Sequence, residues 1–245
     1  MKMVILLYIK LELIMKKIGI IGAMQEEIEA LLEIMTDKVR EKKGVLEFYC
    51  GKYEGVDIIV VKAGIGKVNA AMCTQCLIDN YKPDTVINVG VAGAINDDLN
   101  IGDIVLSTYL QEHDFDVTAF GYEKGVIPRL DSSKFYADEK LVDLAYSFNN
   151  DFKEINLHKG VIVSGDVFVS SRVLKDELES KFNAYCAEME GAAIAHVCYL
   201  QNVPFLVIRS MRDKADGNSP KNFDEFVLSS AQNAVRLIKD ILSKM

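Results

Sequence analysis

An excess of positive charge is missing from this 245-residue chain, in which 28 Lys and Arg stand against 36 Asp and Glu for a formal net charge of −8. That balance removes the electrostatic footprint expected for nucleic acid or an anionic membrane and points to neutral or cationic ligands. Cysteine is also scarce. Five in a chain this long form neither an even nor a dense framework, so no disulfides and a reducing cytoplasm are expected. No uninterrupted apolar run approaches the about 20 residues that span a bilayer. Internal repeats, low-complexity tracts and linker-like shifts in composition are absent too. What is there is apolar: hydrophobic residues make up 50% and charged residues 26%, which excludes disorder and collagen-like structure and suits a large buried core.

The first 15 residues, MKMVILLYIKLELIM, have the look of a signal-peptide apolar region behind Lys2, but Lys10 and Glu12 interrupt the run and no small-residue cleavage site follows. They are expected to be a dispensable extension outside the core, with a single domain over residues 16–245.

From Lys17 the pattern alternates between strand and helix. KIGIIG (Lys17 to Gly22) is a β-branched run closed by glycine, and Ile28, Leu31, Leu32 and Met35 then repeat at helical spacing behind Glu26 and Glu27. Leu46 to Tyr53 and Val56 to Ala63 flank a Glu54-Gly55 turn and read as a hairpin, and GIGK (Gly64 to Lys67) leads into a helix ending near Tyr81. Further strands are expected at Thr85 to Gly90, Asp103 to Gln111, Lys159 to Phe168 and Pro204 to Met211. Helices are expected around Leu141 to Phe148, at Arg172 to Phe182, at Gly191 to Asn202 and from Phe223 onward. Asp114 to Ser133, with Gly121, Gly125 and Pro128 among aromatics, has the length and composition of a functional loop. The alternation predicts an α/β fold with a parallel or mixed central sheet.

In such folds ligands gather beyond the carboxyl ends of the strands. Four junctions qualify: Gly22 to Glu27, Gly64 to Gly66, GVAG at Gly90 to Gly93, and RSMRD at Arg209 to Asp213. Taken alone their glycines read as tight turns. Nucleotide motifs fail: the position five before Gly66 is Val61, which rules out a Walker A loop, and Gly19 and Gly22 do not begin a GxGxxG fingerprint. Cys73 and Cys76 have zinc-ribbon spacing without a second pair, and His113, His158 and His196 stand in no ligand register with them, so no metal is expected. His196 reads as a packed histidine and HDFD (His113 to Asp116) as a polar loop. Carboxylates remain. Glu27, Glu190 and Asp213 each fall at a junction, and each has a plain explanation as a dipole partner or cap. Together, without a basic cluster, they suggest hydrolysis in which one acid activates water and another protonates a leaving group.

With KKIGIIGAMQEEIE, KAGIGKVNAA, NVGVAGA, GDIVLS, HDFDVTAFGYEKGVIP, VSGDVFV, AEMEGAAIAHVC, RSMRDKAD and NFDEF in order, the chain from Lys16 to its end resembles the 5′-methylthioadenosine/S-adenosylhomocysteine nucleosidases of the nucleoside phosphorylase superfamily. The resemblance implies a three-layer α/β/α domain with a twisted mixed central sheet, usually a homodimer, with no cofactor or metal. It implies adenine nucleosides as the small-molecule partners, with no nucleic acid and no membrane. By the same resemblance Glu27 activates the attacking water, Asp213 protonates N7 of adenine and Glu190 hydrogen-bonds the ribose hydroxyls. Phe168 and Val169 flank adenine, Phe223 lies against base or ribose, and Met24, Ile65 and Met189 supply apolar lining. Arg209 is counted with the substrate-binding residues, and Phe120 and Pro128 close over the 5′-thio substituent from the neighbouring subunit.

Two positions depart from the family pattern. Val91 and Arg212 stand where serine is usual, and Arg212 is expected to face away from adenine, since an inward guanidinium would crowd the base and act on the neighbouring acid. The rival reading, a phosphate-dependent purine nucleoside phosphorylase, is weakened by Glu27, whose charge repels phosphate and suits water. A nonenzymatic nucleoside sensor would be favoured only if Arg212 silenced Asp213. Methylthioadenosine, S-adenosylhomocysteine, 5′-deoxyadenosine and futalosine-type nucleosides all stay open as substrates.

Overall fold

The structure is a computed structural model that describes residues 17–215 and 223–245, with side chains from residue 232 in the second segment. The expected extension, residues 1–15, lies outside the described residues.

Strands β1 (Lys17–Gly22), β4 (Val56–Lys62) and β5 (Thr85–Ala94) are parallel neighbours, Ile18 lying opposite both Ile58 and Thr85. β3 (Leu46–Tyr53) and β2 (Thr36–Lys43) extend this side antiparallel to an outer edge. On its other side β5 runs parallel to β10 (Phe205–Asp213), which pairs antiparallel with β6 (Ile104–Glu112). β6 continues parallel to β8 (Leu157–Ser164), β8 to β9 (Ala184–Glu188), and β9 returns antiparallel to the end of β5 through Gly93 and Ala94. The sheet therefore twists until β5, β10, β6, β8 and β9 form a ring. β7 (Phe135–Tyr136) is a short addition to β6.

Period-2 alternation explains the two helical layers. Ile18 and Ile20 on β1, with Ile58 and Val60 on β4, face α1 (Gln25–Ile34), α3 (Glu139–Ser147) and α6 (Phe223–Leu242), which contribute Leu31, Leu141, Leu237 and Ile241. Ile21, Ile59 and Val61 face the opposite layer, α2 (Lys67–Tyr81) and α5 (Gly191–Gln201), through Ala70, Leu77 and Ile194. α4 (Arg172–Phe182) covers β8 and β9 with Leu178 and Phe182. Among the described residues no helix is long and apolar enough to cross a membrane.

Four strands differ from the sequence reading. GVAG is strand, not junction, because β10 stays paired with β5 as far as Gly93. β8 ends at Ser164, before Phe168, where the chain turns away at Gly165. β2 and β9 had no usable pattern: β2 is charged and almost wholly exposed, and exists by pairing with β3.

Candidate active site

The carboxyl ends of β1, β5, β9 and β10, with the chain following β8, meet around a cleft of about 560 Å³ including its open mouth. Each of the four junctions named by the sequence sends side chains or backbone to it, the last through Arg212 and not Arg209.

Glu27 stands at the third position of α1 and folds back over its own helix start. Its Oε2 accepts from the Ala23 and Met24 amides at 2.7 and 3.0 Å, and its Oε1 from the Val91 amide at 3.2 Å. The cap and the candidate base are thus one side chain, anchored by backbone on β5 as well as by its own turn. Burial pushes the carboxyl above its ordinary value, and the opposing influences are the Arg209 charge and those three amides. The chain has room for it because position 90 is glycine. A Cβ there would lie 2.7 Å from Glu27 Oε1.

At the end of β9, Glu188 and Glu190 divide the work. Glu188 Oε1 takes the Ser164 hydroxyl and the Gly191 amide, while Oε2 takes the Glu190 and Gly191 amides and Arg209 through Nε and Nη2. Burial pushes Glu188 up, but the Arg209 charge and these donors outweigh it and hold the carboxyl below its usual range. Glu190 receives one bond, from the Gly66 amide to Oε1 at 2.9 Å. Its own burial, then the charge of Glu188, push its carboxyl up to about 7. A buried carboxylate with acceptor capacity to spare, beside a cleft, is suited to hydroxyl donors.

Arg209 corrects an expectation. It is 1% exposed, spends its donors on Glu188, Asn88 and the Ile208 carbonyl, and does not line the cleft. Residue alternation on β10 turns it inward beneath the acids, so it holds Glu188 rather than meeting a ligand.

Arg212 corrects another. It lines the cleft, donates through Nε to Asp213 Oδ2 at 2.8 Å, and places Cζ 4.9 Å from the Phe168 ring centroid. A neighbouring carboxylate and a π face together draw the guanidinium inward. Asp213 itself is 3% exposed beneath it, with Oδ1 accepting from the Ala215 amide at 2.8 Å. This is the capping geometry weighed from sequence, and it leaves Oδ2 as the atom shared with Arg212.

Met24, Ile65, Phe168, Val169, Met189 and Val91 all line the cleft as well. Phe120, in the turn Thr118–Phe120, is 81% exposed, and neither it nor Pro128 lines this cleft. The Phe223 side chain lies outside the described residues. Sequence reasoning passed over Glu188, Asn88 and Ser164. The available signal was two glutamates one residue apart at the end of an apolar strand, AEME, which needs a cation nearby. Cys73 is buried on α2, where burial raises its thiol to about 12, as expected of a packed residue.

The chain and its fold are similar to those of known proteins. The chain matches the Phosphorylase superfamily over residues 17–245. A 5′-methylthioadenosine/S-adenosylhomocysteine nucleosidase of Bacillus velezensis is 41% identical over 230 residues, covering 94% of this chain and 99% of that protein. The crystal structure of the nucleosidase of the same name from Colwellia psychrerythraea 34H, in complex with adenine, is similar with a TM-score of 0.89 at 38% identity, over 94% of this chain and 95% of that one. The futalosine hydrolase of Helicobacter pylori strain 26695 is similar at the same TM-score of 0.89 and 38% identity, over 94% of this chain and 99% of that one. The chain belongs to the phosphorylase superfamily and, within it, to the 5′-methylthioadenosine/S-adenosylhomocysteine nucleosidase family.

Proposed function

We propose that the cleft hydrolyses the N-glycosidic bond of 5′-methylthioadenosine and S-adenosylhomocysteine, and of 5′-deoxyadenosine, releasing adenine and the 5′-substituted ribose, in methionine salvage and the recycling of methylation by-products. The observation that carries the reading is the pairing of charges around the cleft. Arg209 is taken by Glu188 and Arg212 by Asp213, while Glu27 faces the space where a nucleophile must sit. That arrangement repels phosphate and suits water. Relatives with adenine and with 5′-methylthioadenosine bound support the substrate class.

Cleavage builds positive charge on the sugar and negative charge on the purine. Glu27 takes the water proton, Asp213 delivers a proton to N7, and Glu190 accepts the ribose hydroxyls, its charge favouring the cationic sugar. Phe168 and Val169 hold the base, Phe223 the base or ribose, and Met24, Ile65 and Met189 the apolar wall. The protein acts as a homodimer in the cytoplasm, with residues 16–245 as its single domain and residues 1–15 dispensable. Val68 and Val173, 79% and 80% exposed on helices that begin beside the cleft, support an interface there, as does the exposed Phe120. Across that interface Phe120 and Pro128 cover the partner's 5′ substituent.

The test is adenine release from these nucleosides, and from a futalosine-type nucleoside, with and without phosphate. Rates independent of phosphate and free sugar as product are expected, and Glu27→Gln and Asp213→Asn should each lower turnover by about 10² to 10⁴. Accumulation of ribose 1-phosphate would overturn the hydrolytic assignment. Light scattering should give twice 27.3 kDa.

A further inference from the structure

Among the described residues the Glu190 carboxylate takes one hydrogen bond, from the Gly66 amide, and Gly66 has no side chain to fix its own conformation. Its φ of +95° is a left-handed value that glycine adopts freely, and it caps α2 without any side chain of its own. Its position must therefore come from its neighbours. The amide of Lys67 donates to Asp166 Oδ1 at 2.9 Å, and that same oxygen lies 3.1 Å from where a Cβ on Gly66 would stand. Asp166 is held in turn, its amide donating to Asp114 Oδ2 at 2.9 Å. Lys67 Nζ then closes the circuit on Asp114 Oδ1 at 2.6 Å and Glu112 Oε2 at 2.9 Å, and Glu112 meets His196 at 3.1 Å.

None of these side chains lines the cleft, yet they sit where two of its segments and the 114–133 loop are joined. Ile65 and Gly66 precede Lys67, Val167 to Val169 follow Asp166, and Asp114 opens the loop that carries Phe120 and Pro128. Asp166 is exposed and supports no core packing, so a stabilising role alone does not account for its bonds to both Lys67 and Asp114.

We propose that Asp166, braced by Asp114 and Lys67, is a positioning residue for Glu190: it fixes the Gly66–Lys67 backbone so that the Gly66 amide occupies one carboxylate oxygen and leaves the other for a sugar hydroxyl. The proposal rests on the ribose role given to Glu190 above. Without Asp166 the turn relaxes, the Gly66 amide leaves Oε1, and the carboxylate rotates away from the sugar.

The test pairs substitutions with substrates. Asp166→Ala should lower kcat/KM for 5′-methylthioadenosine by about tenfold, the low end for loss of a hydrogen bond to a charged group. Of the 3′-deoxy and 2′-deoxy analogues, the one that lacks the hydroxyl bound by Glu190 should lose under about twofold. Asp166→Asn keeps the accepting Oδ1 and should restore the wild-type ratio. Added to Glu190→Gln, Asp166→Ala should have no further effect. Equal losses on every nucleoside, or no rescue by asparagine, would overturn the proposal. A second readout needs no turnover: carbon-13 titration of the Glu190 carboxyl in the ligand-free protein. Glu188, Glu27 and Arg209 also act on this group and are untouched by the substitution. The Asp166→Ala midpoint should therefore move upward through loss of the Gly66 amide, and an unchanged midpoint would refute the link. Failure of wild-type protein to release adenine, with that midpoint shift intact, would count against the substrate assignment and leave the positioning role standing.

Discussion

Arg209 places two of its donors, Nε and Nη2, on a single oxygen of Glu188, with the two side chains 1% and 2% exposed. The pair engages Arg209 beneath the acids, so among the described residues Glu190, two residues on, is buried without an ion pair. A structural ion pair thus sets the chemistry of the carboxylate beside it.

Breaking that pair should be costly. Glu188→Ala leaves a guanidinium in the interior that keeps, among the described residues, hydrogen bonds to Asn88 and a carbonyl alone, and a buried pair broken on one side loses about 3–5 kcal/mol. Urea unfolding measures this directly, and a loss below about 1 kcal/mol would show that water reaches Arg209.

Glu190 gives folding stability a definite pH dependence. Its carboxyl ordinarily titrates near 4.5 and in the folded chain near 7, so the folded state binds the proton more tightly. The resulting stabilisation is complete below about 4.5 and is lost as pH rises through about 7. Glu190→Gln, neutral throughout, should flatten this part of the thermal unfolding profile between those limits and be more stable than wild type above them. An unchanged profile would place the titration elsewhere.

Gly90→Ala should disable Glu27 with its side chain unchanged. The new Cβ would stand 2.7 Å from Glu27 Oε1 and 3.1 Å from Arg209 Nη1, on a central strand that cannot shift aside. Displacing a reacting group by about 1 Å costs roughly 10² in rate, so adenine release should fall by that order. Activity within twofold of wild type would contradict the packing described around Glu27.

Arg212→Ser should ease binding of the purine. If the base stacks on Phe168 it must first displace the guanidinium, a contact of about 0.5–1 kcal/mol at an accessible site, so KM should fall about two- to fivefold. A rise in KM would instead make Arg212 a direct ligand of the nucleoside.

Much of this was legible beforehand. β-branched runs closed by glycine marked β1, β4 and β5, an apolar run marked β10, and helical spacing marked the helices, because each buries one face and must carry an apolar period to do so. Glu27 stood out for its place at a strand-to-helix junction, and the structure confirms that it reaches the cleft. β2 was illegible because an exposed edge strand needs no apolar pattern. Arg212 was misjudged because crowding by a neutral base was weighed, while the attraction of Asp213 and the Phe168 ring was not.

By itself, then, the sequence determined the alternation of strands and helices, the junctions at which a site must form, and the acids Glu27, Glu190 and Asp213 as its candidates, since period and residue type are local properties. Only the tertiary structure decided how those acids differ. Burial depth, the claim of Glu188 on Arg209, the turn of Arg212 toward Phe168 and the bracing of Gly66 by Asp166 all join residues tens of positions apart. A carboxylate's charge state and aim depend on the dielectric and donors around it, which no local pattern along the chain records.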